Sequence, residues 1–250
     1  MTIPLFDVQA DFGGALPGQR DFPSAEDLAG RLRRAGIERA LVRITPTDLE
    51  CDQPRGNRKL LEACSAHKNF VPCPVVVPGT GGGIPPEPQQ VDELLAQGAV
   101  AVCIRPAQDG WCLLPWVSGR LFEALQERRL PLLCLERFVG LDAVGDLAGR
   151  YPRLPLILAE VGYRSQRVIL PLLETFPNVH LSIGRTFAVH RGIETTVERL
   201  GPERLLFGTG LAGYEPMLAV SMLLYCHLGD DPKRLIASGN LDRLIGGIAR

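Results

Sequence analysis

An excess of charge of either sign is missing from this sequence: 27 Lys and Arg stand against 28 Asp and Glu over 250 residues, a formal net charge of -1. No long-range field draws in a polyanion or an acidic membrane surface, so no nucleic-acid or membrane partner is expected. Lysine itself is rare, at positions 59, 68 and 233, and nearly all the positive charge is arginine. Long hydrophobic runs are missing too. The longest apolar stretch, Leu218 to Leu228, falls short of the roughly 20 residues that cross a bilayer core and contains His227, so it reads as a packed helix. The opening MTIPLFDVQADF has neither a basic nor an apolar segment of the secretory type, and no signal peptide is expected. The seven cysteines, at 51, 64, 73, 103, 112, 134 and 226, are odd in number and form no CxxC pair. They read as reduced, packed thiols of a cytoplasmic protein.

What the sequence does have is rhythm. Hydrophobic residues make up 46% of it, enough for a full core. Eight short apolar runs recur, each followed by a longer amphipathic segment. The runs are 4–10, 39–45, 70–77, 99–105, 131–135, 155–160, 178–183 and 204–207. Helices fit between and after them, over 57–67, 88–97, 115–129, 141–151, 165–176, 189–200 and 214–228, with one more capped by Ser24 and ended by Gly36. Alternation of this kind predicts parallel strands. The economical arrangement is α/β, a single (β/α)8 TIM barrel over residues 1–250, with C-terminal helices from about 230. A doubly wound open sheet shows the same alternation, but Phe12-Gly13-Gly14 is not the GxGxxG turn expected of a nucleotide-binding one. PGTGGGIPPEP, from Pro78, is proline-rich and lacks a following Lys, so it suits a loop at a barrel mouth better than a phosphate cradle. The apolar segment Met217 to Leu224 fits either core or the contact face of a homo-oligomer.

Four segments, FDVQAD, LPLILAEVG, GPERLLFGTG and GNLDRLIG, follow one another in an order that resembles the amidohydrolase-related (amidohydrolase family 2) metal-dependent TIM-barrel hydrolases and decarboxylases. The resemblance implies an amidohydrolase-like barrel and a metal centre at its mouth. It also implies where that centre's ligands would stand. The two histidines of the family's DxHxH fall on Gln9 and Asp11, its fifth-strand ligand on Leu135, its sixth-strand histidine on Glu160 and its eighth-strand aspartate on Gly210. Leu and Gly offer no donor to a metal, so no metal and no other cofactor is expected, and Gly210 removes the carboxylate that usually takes a proton from attacking water.

In a barrel the active site lies at the C-terminal ends of the strands, and side chains alternate between lumen and helix layer. Taking the family's ligand positions as facing inward puts Asp7, Gln9, Asp11, Cys103, Arg105, Leu135, Arg137, Glu160 and Arg185 around one opening, with Arg43 added if its register holds. Of the four histidines only His190, in a loop after a strand, is placed to reach that opening. Two readings of the arginines stand. Arg105 or Arg137 bridges Asp11 and Glu160 as a structural ion pair, or the surplus positive charge awaits a small anionic molecule, a carboxylate or phosphate. Cys103 reads as a packing thiol.

Three functions follow from different classes. The first is a metal-independent hydrolase or lyase on a small anion, with Asp11 and Glu160 moving the proton and Asp7, Gln9, Arg43, Arg105, Arg137, Arg185 and His190 binding substrate. The second is a pseudoenzyme, a ligand-binding or regulatory subunit. The third is a metal-dependent hydrolase or decarboxylase with surrogate carboxylate ligands.

Overall fold

A computed structural model describes residues 3–13, 23–45, 52–80 and 83–250. Gly14, Cys51, the Gly81-Gly82 centre of the glycine-rich loop and the Arg185 side chain lie outside the described residues. Among the described residues there are eight parallel strands: β1 (Leu5–Phe12), β2 (Ile37–Ile44), β3 (Phe70–Pro72), β4 (Val102–Cys103), β5 (Leu132–Leu135), β6 (Leu156–Ala159), β7 (Val179–Ile183) and β8 (Leu205–Phe207). They are ladders of two groups, β1 to β3 and β4 to β8, each in sequence order. Two short bridges close the ring. Val75 pairs with Cys103 between β3 and β4, and Ala10 pairs with Leu211 between β1 and the chain after β8, where Asp11 N–H donates to Leu211 O at 2.6 Å. The barrel expectation holds.

Helices α1 (Ala25–Arg34), α2 (Gln53–Ala66), α3 (Glu87–Ala96), α4 (Pro115–Arg128), α5 (Leu141–Arg150), α6 (Gln166–Thr175), α7 (Gly192–Leu200) and α8 (Pro216–Leu224) cover the strands. Their starts follow local chemistry. Ser24 Oγ accepts from Asp27 N–H at the start of α1. Helix α2 begins at Gln53, four residues before the expected Asn57, because Asp52 accepts from Arg55 N–H and Pro54 suits a first turn. Every residue of β1 is buried, the mark of a strand packed on both sides. In α8, Ala219, Val220 and Leu223 enter the core while Met217 and Leu218 stay nearly half exposed, so the helix is core on one face and apolar surface on the other.

The final segment runs through α9 (Asp230–Arg234), a π-helical turn over Leu235–Gly239 and α10 (Asn240–Gly246). Its Asn240 is fully buried, and the amide donates to Pro202 O at 2.8 Å and Leu205 O at 2.9 Å. Arg243 donates to Glu203 O at 3.1 Å. The GNLDRLIG segment thus fastens the C-terminal helices to the N-terminal end of β8, the end away from the mouth. His180 sits in the same layer with Nδ1 3.3 Å from Glu203 O. Burial, with Arg204 and Arg243 nearby, holds its imidazole down at about 4, so it stays neutral and structural.

Candidate active site

The strand β1 presents Asp7, Gln9 and Asp11 at alternate positions, and each meets a different partner. Asp7 is deepest. Its Oδ1 accepts from Gln9 N–H and from Thr209 N–H, both at 2.9 Å, and its Oδ2 is hydrogen-bonded by the Thr209 hydroxyl, which ties β1 to the end of β8. Burial pushes the Asp7 carboxyl up to about 7 against the pull of those hydrogen bonds.

Gln9 and Glu160 meet across the lumen, where the Gln9 amide donates to Glu160 Oε1. Arg137, from the turn after β5, donates to Glu160 Oε2, and its guanidinium lies 4.6 Å from the Phe138 ring centroid. Glu160 is held in the left-handed region, at φ 61, which is strained for a residue with a side chain. The surroundings explain how this persists. Glu136 N–H donates to Ala159 O at 3.0 Å, and the Glu136 carboxylate accepts from Gly162 N–H at 3.1 Å and Ser165 Oγ at 3.0 Å, fixing the turn on either side of Glu160.

Asp11 is claimed by Arg43, whose Nη2 lies 2.7 Å from Oδ1 and 2.8 Å from Oδ2. Both are buried. Burial pushes the Asp11 carboxyl up, with Arg43 and Arg137 pulling it back down. Burial also works against the Arg43 charge, but the Asp11 carboxylate more than offsets it and the guanidinium is held above its ordinary value. The Nε–H of Arg43 is buried with no partner among the described residues.

Arg105 departs from its expected role. It bridges neither Asp11 nor Glu160, because Asp109, four residues on, takes it through Nη2 at 2.6 Å and Nε at 3.3 Å. Asp109 was not anticipated, since strand parity says nothing about loop residues. Its presence gives Arg43, Arg105 and Arg137 one carboxylate each, and the expected surplus of described positive charge shrinks accordingly. The arginines differ in access. Arg137 is 44% exposed in its side chain, whereas Arg43 and Arg105 are 5% exposed. Arg185 lies in a 3-10 turn directly after β7, and His190 is exposed in the turn before α7. Among the described residues, no hydrogen bond or ion pair joins His190 to the cluster.

Gly210 is the residue to which the resemblance assigns the family's eighth-strand aspartate. It has φ 69, and a Cβ added there would meet Tyr214 Cδ2 at 2.7 Å. The tyrosine ring fills the space that a side chain at 210 would need. Gln9, Glu160, Ser182, Thr186, Thr209 and Tyr214 line a cavity of about 10 Å³, room for roughly a single water.

These donors do not fit the family's metal centre. Leu135 and Gly210 contribute nothing, Asp11 is engaged by a guanidinium, and Glu160 is shared between an amide and a guanidinium. Among the described residues, no group of three or more His, Cys, Asp or Glu is arranged to hold a metal ion.

Comparison with known proteins agrees with the barrel. Among solved structures, the chain is similar to an uncharacterised TIM-barrel protein from Bordetella bronchiseptica, with TM-score 0.75 and 17% identity over 99% of this chain and 100% of that one. It is similar to a 2-pyrone-4,6-dicarboxylic acid hydrolase, described as putative, from Pseudomonas putida, with TM-score 0.72 and 16% identity over the whole of both chains. It is also similar to 5-carboxyvanillate decarboxylase from Sphingomonas paucimobilis, with TM-score 0.72 and 13% identity over 99% and 100% of the two chains. At these identities the likeness speaks for the fold. No curated relative is detected by sequence. No helix among the described residues is long and apolar enough to cross a membrane. The amidohydrolase family itself matches residues 14–240, nearly the whole sequence, and the chain belongs to that family.

Proposed function

We propose that this barrel acts without a metal on a small carboxylate-bearing molecule, as a hydrolase or lyase. The observation that carries the reading is the Arg137–Glu160 pair at the mouth, an accessible cation holding an acid on a strained backbone. A substrate carboxylate competes with Glu160 for Arg137, since a guanidinium takes either in the same planar geometry. Once displaced, Glu160 is left with the Gln9 amide alone. It is then an unpaired carboxylate beside a space the size of one water, the arrangement a general base needs. Asp7, pushed up to about 7, is a proton reservoir two residues deeper. Asp11 and Arg43 act as a fixed pair that sets the field. Arg105, clamped by Asp109, orients the loop after β4. Arg185 and His190 stay candidates for substrate contact through their position after β7.

The neighbours named for 2-pyrone-4,6-dicarboxylate, 5-carboxyvanillate and 2,6-dihydroxybenzoate support the substrate class, all of them small carboxylates. These three are the first panel to try, in buffer containing EDTA. Glu160→Gln is expected to abolish kcat, and Arg137→Met to raise KM with a smaller effect on kcat. Equal activity of Glu160→Gln and wild type would overturn the assignment of the base.

A second reading, a ligand-binding subunit without turnover, is favoured by the narrowness of that cavity. It predicts that the same carboxylates raise the melting temperature of wild type and Glu160→Gln alike, with no product formed by either.

A further inference from the structure

A much larger space than the one in the lumen lies outside it. A cavity of about 410 Å³ opens between α1 and the chain that follows β8, where the lumen cavity measures about 10 Å³. That volume is of the size that small-molecule sites have. Arg31 and Arg34 reach the cavity from α1, and Glu215, the residue before α8, reaches it from the loop after β8. Tyr214 lines both spaces, so the outer cavity adjoins the proposed active site without belonging to it.

Three charged side chains share this cavity without pairing. Among the described residues, no ion pair or side-chain hydrogen bond holds Arg31, Arg34 or Glu215. Arg33, in the same turn, does pair, with Glu26 at 3.8 Å. A Cβ added at Gly30 would stand 3.4 Å from Arg34 Nη1, so the Arg34 guanidinium is folded back over the preceding turn of α1. Cations in the last turn of a helix suit its dipole, and Arg31, Arg33 and Arg34 all stand there. That role accounts for their charge. It does not account for two of them lining one cavity together with a carboxylate that neither meets. Leu211 and Pro216, both buried, and Met217, 47% exposed, add an apolar wall.

We propose that this cavity is a binding site for a small α-amino acid with an aliphatic side chain. Two cations and one anion in a single lining call for a ligand that carries both an acid and a basic group. A plain anion leaves Glu215 opposed to it, and a plain cation leaves both arginines without a partner. The amino acid's carboxylate takes Arg31 and Arg34, which are three residues apart and so share one face of α1, in the planar geometry a guanidinium favours. Its ammonium donates to Glu215. Its side chain lies against Leu211, Pro216 and Met217, out of water. No step of the proposed chemistry passes through these residues, so the site stands whether or not the barrel turns over a substrate.

The test is equilibrium dialysis of the full chain against isotope-labelled L-leucine, with two competitors that each lack one charge: 4-methylpentanoate, without the amino group, and leucinamide, without the carboxylate. The expected result is saturable binding of one leucine per chain, with both analogues weaker by about tenfold or more. Arg31→Met, Arg34→Met and Glu215→Gln should each weaken leucine by about the same factor, the size of one lost charge-assisted hydrogen bond. These side chains are exposed or half-buried, and circular dichroism should show all three variants folded. Arg137→Met, at the mouth, should bind leucine as the wild type does. Absence of saturable leucine binding would overturn the proposal. So would equal affinity for leucine and 4-methylpentanoate, or a loss of binding in Arg137→Met with none in Arg31→Met and Arg34→Met.

Discussion

Tyr214 covers Gly210, its ring 2.7 Å from where a Cβ would stand, and the glycine's φ of 69 belongs to a region that side chains avoid. The two residues are one device. The aromatic ring closes the side of the lumen where the family resemblance would put an aspartate. Gly210→Ala should therefore cost about 1–3 kcal/mol in urea unfolding, from overpacking and backbone strain together. Adding Tyr214→Ala should return only the packing part. Gly210→Asp should be no better than Gly210→Ala, and it should not create a metal site.

Asp7 makes a pH prediction. Its carboxyl is raised from 3.8 to about 7, so between those values the unfolded chain is ionised while the folded one keeps its proton. The stability from that proton is fully present below about pH 4 and is lost as pH rises through about 7, up to about 4 kcal/mol for a shift of this size. His180 works the other way, since an imidazole depressed to about 4 loses stability as pH falls below its ordinary value. The two offset each other in the wild type, so the difference from Asp7→Asn is the informative quantity. That variant keeps the acceptor for Gln9 and Thr209 and should abolish the Asp7 part of the slope in urea melts between pH 4 and pH 8.

Arg43 and Asp11 are 5% and 9% exposed in their side chains. Arg43→Met strands a buried carboxylate and should cost about 3–5 kcal/mol, whereas Arg43→Met with Asp11→Leu should recover most of it. A double variant as weak as the single one would mean the pair does more than neutralise itself.

Asn240 is the corresponding test at the other end of the barrel. Asn240→Leu leaves the carbonyls of Pro202 and Leu205 without their donor and should cost about 1–3 kcal/mol each, read by chemical denaturation.

The barrel was legible because hydrophobic period and local caps agree. Ser24 and Gly36 bracket α1 in sequence as they do in space, and each of the eight apolar runs overlaps a strand, although β1 runs on to Phe12 and β2 starts early at Ile37. The strand ends were less legible. β3 and β4 shrink to three and two residues, because their outer portions are joined by single bridges and not by ladders. Parity, anchored on the ligand positions that the resemblance implies, groups Asp7, Gln9, Asp11, Arg137 and Glu160, and in the structure Gln9 and Arg137 both meet Glu160 while Asp7 accepts from Gln9 N–H. It could not find what lies on loops or across the ring. Thr209 is 202 residues from Asp7, and no local signal joins them. Asp109 was within reach, four residues after Arg105, a spacing at which opposite charges commonly meet. Asp52 followed by Pro54 likewise announces the early start of α2.

The central claim is that guanidinium groups and an amide occupy the donors that related barrels give to a metal. Elemental analysis of the purified chain, after incubation with manganese or zinc and removal of free ion, tests it most directly. The account predicts metal far below one equivalent per chain, with wild type and Glu160→Gln indistinguishable. One tightly held equivalent in the wild type, lost in Glu160→Gln or Asp11→Asn, would contradict it.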